Sequence, residues 1–125
     1  MPKRSQLRAI RGAISVARDE PGAIYEATQE LLSTIVARNE IGTEDIISVI
    51  FTVTPDLTSA FPALAARQMG WLDVPLLCTM EIPVPGALGQ CIRVLLHVET
   101  TRPRAQIAHV YLRAAEVLRP DHAKG

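Results

Sequence analysis

The most apolar stretch in the second half of the chain reads Cys91-Ile92-Arg93-Val94-Leu95-Leu96. Its alternation predicts a β-strand over residues 91–99, in which Arg93 shares one face with Leu95 and the opposite face is wholly apolar. An arginine stays charged, so burying it without an anionic partner costs several kcal/mol. The stretch therefore predicts a carboxylate beside Arg93, supplied either by the protein or by a ligand.

A second arginine occupies a similar setting near the start of the chain. Residues 7–16 alternate small and apolar side chains, which predicts a strand that carries Arg11 on one face. A single buried arginine is commonly explained by a structural ion pair, here with Glu81 or Glu99. Two inward arginines on one face of a sheet favour a small pocket for an anion.

The composition excludes several classes of function. Thirteen basic and thirteen acidic side chains cancel, and the basic start at Lys3-Arg4 is short. A nucleic-acid binder usually has a basic stripe and stacking aromatics, and aromatic residues make up only 4% of this chain. The longest apolar run, residues 46–53, is too short to span a bilayer. We therefore expect no nucleic-acid partner and no membrane segment.

The N-terminus and the cysteines bear on location and redox state. The first residues are polar and lack the apolar region of a secretion signal. Cys78 and Cys91 have no metal-ligand spacing, and one pair of cysteines is weak support for a disulfide. We expect a cytoplasmic protein with two reduced cysteines. Its 125 residues are expected to form one domain, 1–125, with flexible ends at 1–6 and 122–125.

The hydrophobic periodicity predicts elements in the order β-α-β-α-β-β-α. The predicted strands cover residues 7–16, 46–54, 74–82 and 91–99. Three helices are predicted. The first is capped by Asp19 and ends at residues 39–42, the second covers residues 59–69 and ends at Gly70, and the third covers residues 103–114. This order predicts an α+β fold, with one mixed sheet and the helices on one face. The other face then carries Arg11 and Arg93, and we expect another subunit or a ligand to cover it.

Few other side chains are candidates for chemistry. Glu81 ends a predicted strand, and its carboxylate can orient an arginine or accept a hydrogen bond from a ligand hydroxyl. Arg67 and Tyr111 lie on predicted helices, where an exposed arginine and a half-buried core tyrosine are ordinary. The three histidines have no spacing typical of a shared metal, and no Ser-His-Asp set or phosphate-binding glycine loop is present. This inventory suits electrostatic catalysis better than nucleophilic or acid–base catalysis.

Short sequence blocks spread over the chain carry a family resemblance. They are Ile10-Arg11-Gly12-Ala13, Thr54-Pro55-Asp56-Leu57, Phe61-Pro62-Ala63, Gly70-Trp71 with Val74-Pro75 and Glu81, Cys91-Ile92-Arg93-Val94, His109-Val110-Tyr111-Leu112 and Leu118-Arg119-Pro120-Asp121. In this order and spacing, they resemble the monofunctional AroH-class chorismate mutases from about Leu7 to Asp121. Several blocks in the right order are far more specific than any one of them.

The resemblance implies a homotrimer with a pseudo α/β-barrel core and active sites between neighbouring subunits. It implies an isomerase, an intramolecular transferase of phenylalanine and tyrosine biosynthesis, that rearranges chorismate to prephenate. The reaction is a one-step pericyclic shift that needs no cofactor, no metal and no covalent intermediate. That expectation agrees with an inventory that offers arginines, a glutamate and a tyrosine.

The resemblance also implies a role for each matching residue. Arg93 faces the ether oxygen of chorismate, Arg11 and Tyr111 hold the side-chain carboxylate, and Glu81 takes the ring hydroxyl with help from the backbone of Cys78. From the adjacent subunit, Arg67 approaches the ring carboxylate. The expected apolar wall and closing group are Phe61, Ala63, Leu76, Leu77 and Leu118, the last together with the tail that follows it.

Two departures from the family pattern and two alternative functions remain open at this point. Leu64 stands where the family can have a lysine at the pocket rim, and the chain ends at Gly125, which leaves a short tail. One alternative is a trimeric enamine/imine deaminase, whose clefts between subunits also hold a carboxylate through arginine. The other is a non-catalytic trimer that senses a small carboxylate and binds chorismate or prephenate without turnover.

Overall fold

A computed structural model describes residues 4–118 and contains one five-stranded mixed sheet. The strands are β1 (Gln6–Ser15), β2 (Ile46–Val53), β3 (Leu76–Met80), β4 (Cys91–Thr100) and β5 (Val110–Leu112), in the spatial order β3-β2-β4-β1-β5. The two helices are α1 (Pro21–Asn39) and α2 (Pro62–Gln68), and short 3-10 turns cover Thr43–Asp45, Arg104–Gln106 and Arg113–Leu118. The strand β4 is antiparallel to both β1 and β2, while β3 pairs parallel with β2 and β5 parallel with β1.

The main core lies between one face of the sheet and the helices, as the sequence predicted. On β4 the alternation is as expected, since Ile92, Val94, Leu96 and Val98 are buried in this core. The helix α1 covers them with Ile24, Ala27, Leu31, Leu32 and Ile35, which recur at helical spacing. Within residues 4–118, neither α1 nor α2 lies over the opposite face of the sheet, and this face carries the candidate site.

The predicted helix over residues 103–114 is wrong. A 3-10 turn at Arg104–Gln106 leads instead to β5, which pairs parallel with β1 so that Ala13 lies opposite Tyr111. The outer edge of β1 has backbone groups that need partners, and satisfying them outweighs a weak helical periodicity. Arg113 then adopts a left-handed backbone conformation at φ 56°, and the strand ends.

The predicted cap of α1 is also wrong. Glu20 occupies the N-cap position, with no side-chain cap, and α1 begins at Pro21. The Asp19 carboxylate instead accepts hydrogen bonds from the backbone N–H groups of Thr58 and Ser59, each at 3.0 Å, and from the Thr58 hydroxyl at 3.1 Å. Hydrogen bonds to this carboxylate, chiefly one from the Ser59 side chain, lower the pKa of the Asp19 carboxyl. Asp19 thus joins the loops that precede the two helices.

The remaining boundaries shift by a few residues. The second helix begins at Pro62 rather than Ser59, because the residue before a proline is driven to extended backbone. Gly70, at φ 93°, follows the end of that helix as predicted. Gln6 was expected in a flexible end, yet it pairs with Thr100 in the sheet. Residues 122–125 lie outside the described part of the chain. Within residues 4–118, no helix is long and apolar enough to cross a membrane.

Asn39 joins the end of α1 to the segment that leads into β5. Its side-chain amide donates hydrogen bonds to the carbonyls of Ile35 and Ala108, both at 2.9 Å, and its Oδ1 accepts one from the Ala108 N–H at 2.8 Å. The residue is almost wholly buried. These bonds satisfy polar groups that would otherwise be buried without partners.

We expect Asn39→Ala to lower the free energy of unfolding by about 2–4 kcal/mol, because both backbone groups of Ala108 lose their partner. Urea unfolding followed by circular dichroism measures this loss. The matched control is Gln68→Ala, which removes one exposed hydrogen bond from Gln29 and is expected to stay within about 0.5 kcal/mol of wild type. An unfolding midpoint of Asn39→Ala equal to that of the control would contradict this role.

Candidate active site

Arg93 lies in a row of side chains that crosses all five strands on the face without helices. The register places Tyr111 of β5 beside Ala13 of β1, Ala13 beside Arg93 of β4, Arg93 beside Thr52 of β2, and Thr52 beside Thr79 of β3. Residues paired in this way project on the same face of the sheet. Only the small Ala13 separates Arg93 from Tyr111 in this row, and both residues line the same cavity.

Arg11 is brought to the same place by the pairing of β1 with β4. It lies opposite Leu95, two residues before Ala13, and so shares the face of Arg93 as the sequence predicted. A cavity of about 260 Å³ is lined by Arg11, Gly12, Arg93, Val94, Tyr111 and Leu118. The structure thus gathers two arginines, the tyrosine and a leucine from the set of candidate residues. We call Arg11, Arg93, Tyr111 and Leu118 the Arg93 group.

The cover over this cavity comes from the end of the described chain. Ala13, Cys91, Tyr111 and Ala115 form a small second cluster of buried side chains, and Leu88 and Leu118 pack against it. The 3-10 turn at Arg113–Leu118 therefore closes the β5 end of the open face. The tail after Leu118 was expected to help close the pocket, and it lies outside the described residues.

The two arginines are less buried than the sequence suggested. Arg11 is exposed, and the Arg93 side chain is 37% exposed in the single chain. The buried Nε of Arg93 lies 3.9 Å from Glu81 Oε1, and within residues 4–118 it has no hydrogen-bond partner. A distance of 3.9 Å is too long for an N–H···O bond, so Glu81 leaves this donor available.

A second group of candidate residues lies toward the β3 edge of the sheet. Phe61 and Cys78 line a separate cavity of about 550 Å³, together with Tyr25, Thr58, Met80 and other residues. Ala63 and Arg67 belong to α2, and Arg67, Phe61 and Leu77 of β3 are exposed. We call Phe61, Ala63, Arg67 and Leu77 the Arg67 group.

Leu76 was predicted to line the substrate pocket, and the structure places it elsewhere. It lies opposite Val49 and packs against the main core of its own chain. Since side chains alternate along a strand, Leu77 is the neighbour that projects on the open face. Leu76 therefore serves the fold, and Leu77 remains a candidate for a pocket wall.

Sequence reasoning did not identify Thr52 as part of the site. Its hydroxyl is buried without a hydrogen-bond partner in the described part of the chain, and its backbone pairs with Arg93. The available signal was a polar residue inside the apolar run of residues 46–53. That signal does not say which residue lies opposite, because register between distant strands cannot be read from local pattern.

Both cysteines are free thiols in the structure. Burial raises the pKa of the Cys78 thiol and, as the main cause, that of the Cys91 thiol. A raised pKa keeps a thiol protonated near neutral pH and therefore a poor nucleophile. Across residues 4–118, no group of three or more His, Cys, Asp or Glu side chains is arranged to hold a metal ion.

Comparison with known proteins shows the family of this chain. The family model for chorismate mutase type I matches residues 7–122. The chain belongs to this family. It is 55% identical over 116 residues to the chorismate mutase AroH of Thermus thermophilus, covering 92% of this chain and 95% of that protein. It is 45% identical over 116 residues to chorismate mutase AroH of Bacillus subtilis strain 168, covering 92% and 91%.

A solved structure agrees in fold as well as in sequence. The chorismate mutase from Clostridium thermocellum superposes with a TM-score of 0.87 at 50% identity, covering 88% of this chain and 98% of that one. The resemblance drawn from the sequence blocks is confirmed, and with it the α+β fold class. These matches favour a chorismate mutase over the deaminase and sensor alternatives.

Proposed function

We propose that this chorismate mutase rearranges chorismate to prephenate in a site built from the Arg93 group of one subunit and the Arg67 group of its neighbour. The observation that carries the proposal is the Arg93 guanidinium, which lines a small cavity beside Arg11 and Tyr111 and has a buried Nε–H with no hydrogen-bond acceptor in residues 4–118. Chorismate has two carboxylates and a hydroxyl. A cavity with two guanidinium groups and a phenol fits such a dianion.

The reaction requires the stabilisation of charge in the transition state and no transfer of a proton or a group to the protein. In the rearrangement, the ether carbon–oxygen bond breaks as a carbon–carbon bond forms, and negative charge grows on the oxygen. A guanidinium fixed at that oxygen binds the transition state more tightly than the ground state. Arg93 is the residue assigned to this role, since its free donor lies on the open face between Tyr111 and Thr52.

The other members of the site orient the substrate. Arg11 holds the side-chain carboxylate, and the Tyr111 hydroxyl donates to the same group. Glu81, 3.9 Å from Arg93, accepts a hydrogen bond from the ring hydroxyl, next to the backbone of Cys78. Holding a flexible ether in its reactive conformation removes part of the entropic barrier.

A shared site explains why the candidate residues form two groups. The strands β3 and β5 are four positions apart in the sheet, about 19 Å at the usual strand spacing. Arg67 lies on α2, which packs on the helix-covered face through Ala66, so one small substrate on the open face does not reach both Tyr111 and Arg67 of a single chain. In a ring of subunits, each chain gives its Arg93 group to one site and its Arg67 group to the next. We propose a homotrimer of this kind.

Exposed apolar side chains support this association. Leu7 and Leu77 are each 60% exposed on the face without helices, and Phe61, which belongs to the Arg67 group, is 71% exposed. Apolar surface of this kind is stabilised when it is removed from water at an interface. The same face carries the Arg93 cavity, so association covers the site and lowers its effective dielectric constant.

We also propose that residues 1–125 form one domain that works in the cytoplasm. The family match over residues 7–122 supports a single domain. Two free cysteines fit a reducing compartment.

The direct test is the conversion of chorismate by the purified protein, with the product identified as prephenate by NMR. We expect turnover without any added metal or cofactor. Saturable chorismate binding without turnover would instead indicate a non-catalytic sensor. The absence of both binding and turnover by a folded protein would contradict the proposal.

A further inference from the structure

The end of β2 fixes both residues of the Glu81–Arg93 pair. The Glu81 N–H donates to the Val53 carbonyl at 2.9 Å. Ten residues later along the chain, the Cys91 N–H donates to Thr54 Oγ1 at 3.0 Å, and the Thr54 N–H donates to the Cys91 carbonyl at 3.1 Å. Arg93 follows Cys91 by two residues on the same strand. The segment between Glu81 and Arg93 is therefore held at both ends by neighbouring residues of β2 and its extension.

Asp56 completes this attachment. Its two carboxylate oxygens accept hydrogen bonds from the Gln90 N–H at 3.1 and 2.9 Å, and Oδ1 also accepts one from the Thr54 hydroxyl at 2.5 Å. A side chain at Gly89 would place its Cβ 2.7 Å from Asp56 Oδ2, so it would displace the Asp56 carboxylate from this position. The Gln90 carbonyl in turn accepts a hydrogen bond from the Val16 N–H at 2.7 Å, which ties the turn to the end of β1.

The consequence of this network is the open distance between Glu81 and Arg93. The Nε···Oε1 separation of 3.9 Å exceeds the 2.7–3.2 Å range of a hydrogen bond. Glutamate and arginine side chains that are free to adjust prefer a close, often bidentate, ion pair. A closed pair would occupy the guanidinium donor and neutralise the charge that the ether oxygen needs. The backbone at Glu81 and the strand that carries Arg93 must therefore be held in place.

We infer that Asp56, acting through Thr54 and the turn at Gly89 and Gln90, is a positioning residue that keeps Arg93 from closing on Glu81. It does not touch the substrate. The inference rests on the proposed function, because it concerns the availability of Arg93 to chorismate. Thr54, Asp56, Gly89 and Gln90 belong to neither the Arg93 group nor the Arg67 group. Their effect on turnover can therefore be measured separately from that of the residues proposed to contact the substrate.

The test compares Asp56→Asn with Asp45→Asn. The Asp56 variant keeps its size but puts an amide N–H₂ against the Gln90 N–H, so the turn loosens. We expect kcat to fall about 10- to 100-fold, the cost of a misplaced catalytic group, with a much smaller change in KM and an intact assembly. Asp45 is a matched control, since its carboxylate accepts one backbone hydrogen bond from Gly42 at 2.9 Å at the other end of β2. Its variant should keep the kcat of wild type.

A second variant and a double-mutant cycle separate positioning from general loosening. Gly89→Ala disturbs the same contact from the opposite side, and it should reproduce the loss in kcat even if Asp56→Asn fails to fold. In the Glu81→Gln background, no carboxylate is left to capture Arg93. Adding Asp56→Asn or Gly89→Ala there should therefore reduce kcat only slightly further. If the fold-losses in kcat of Glu81→Gln and of the second substitution multiply in full, the inference is overturned, and Asp56 has only a structural role.

The failure of this inference is distinguishable from the failure of the proposed function. A wild-type protein without chorismate turnover, or an Arg93→Ala variant with full turnover, would overturn the proposed function. An active wild type and an inactive Arg93→Ala, together with wild-type kcat in both Asp56→Asn and Gly89→Ala, would overturn only the role of Asp56.

Discussion

Replacing Arg93 with lysine is expected to lower kcat by about 10²- to 10³-fold while the protein still binds chorismate, since removing one preorganised donor to a developing oxyanion has a cost of this size. Lysine keeps the positive charge and so keeps part of the attraction for a dianion. It lacks the planar fork of donors, and its ammonium group cannot reproduce the place of Nε beside Glu81. Steady-state kinetics on chorismate, with binding measured by calorimetry, separates the two effects.

The control for this substitution is Arg18→Lys. Arg18 also pairs with a glutamate, through Nε and Glu20 Oε2 at 2.6 Å, but both side chains are well exposed and neither lines the Arg93 cavity. Its variant should have the turnover of wild type. Near wild-type kcat in a folded Arg93→Lys would remove Arg93 from the central role. An Arg93→Ala variant with the same activity as wild type would do so even more directly.

Mixing subunits tests whether the site is shared. Trimers that contain both Arg67→Ala and Arg93→Ala subunits are expected to recover about one third of the wild-type turnover per trimer, because a three-membered ring of two kinds of subunit has one interface with both arginines intact. Each variant alone should be nearly inactive. Co-expression with two different tags, followed by purification on both, isolates mixed trimers, and native mass spectrometry verifies their composition.

The control for this experiment carries both tags on Arg93→Ala subunits, and it should recover nothing. No recovery in verified mixed trimers of the two variants would contradict a site built from two chains. Assembly into dimers, or a stable monomer with full turnover, would contradict the proposed ring itself. Recovery of activity cannot come from a site within one chain, since every chain in the mixture lacks one of the two arginines.

Local sequence pattern predicted the strands that carry the two arginines. Alternation over residues 91–99 placed Arg93 opposite the apolar face of Ile92 and Val94, and the structure confirms both the strand and the faces. The same reasoning placed Arg11 on that face, and the pairing of β1 with β4 confirms it. These predictions succeed because a strand buries one face at a time, so its pattern is visible within a few residues.

Local pattern failed where long-range pairing decides the structure. Tyr111 was assigned to a helix, yet it lies on the three-residue strand β5, next to Ala13 of a strand nearly one hundred residues earlier. Asp19 was assigned to a helix cap, yet it binds Thr58 and Ser59. In both cases a polar group found a partner far along the chain, and no local spacing contains that information.

The sequence by itself determined the fold class, the family and the face on which Arg11 and Arg93 lie, because hydrophobic alternation and ordered sequence blocks are properties of the chain alone. Only the tertiary structure decided that Arg93 lies between Tyr111 and Thr52, that Leu76 turns into the core, and that Glu81 stops 3.9 Å short of the guanidinium. Those facts depend on the register of strands distant in sequence. That register is set by the joint packing of the whole sheet against its helices.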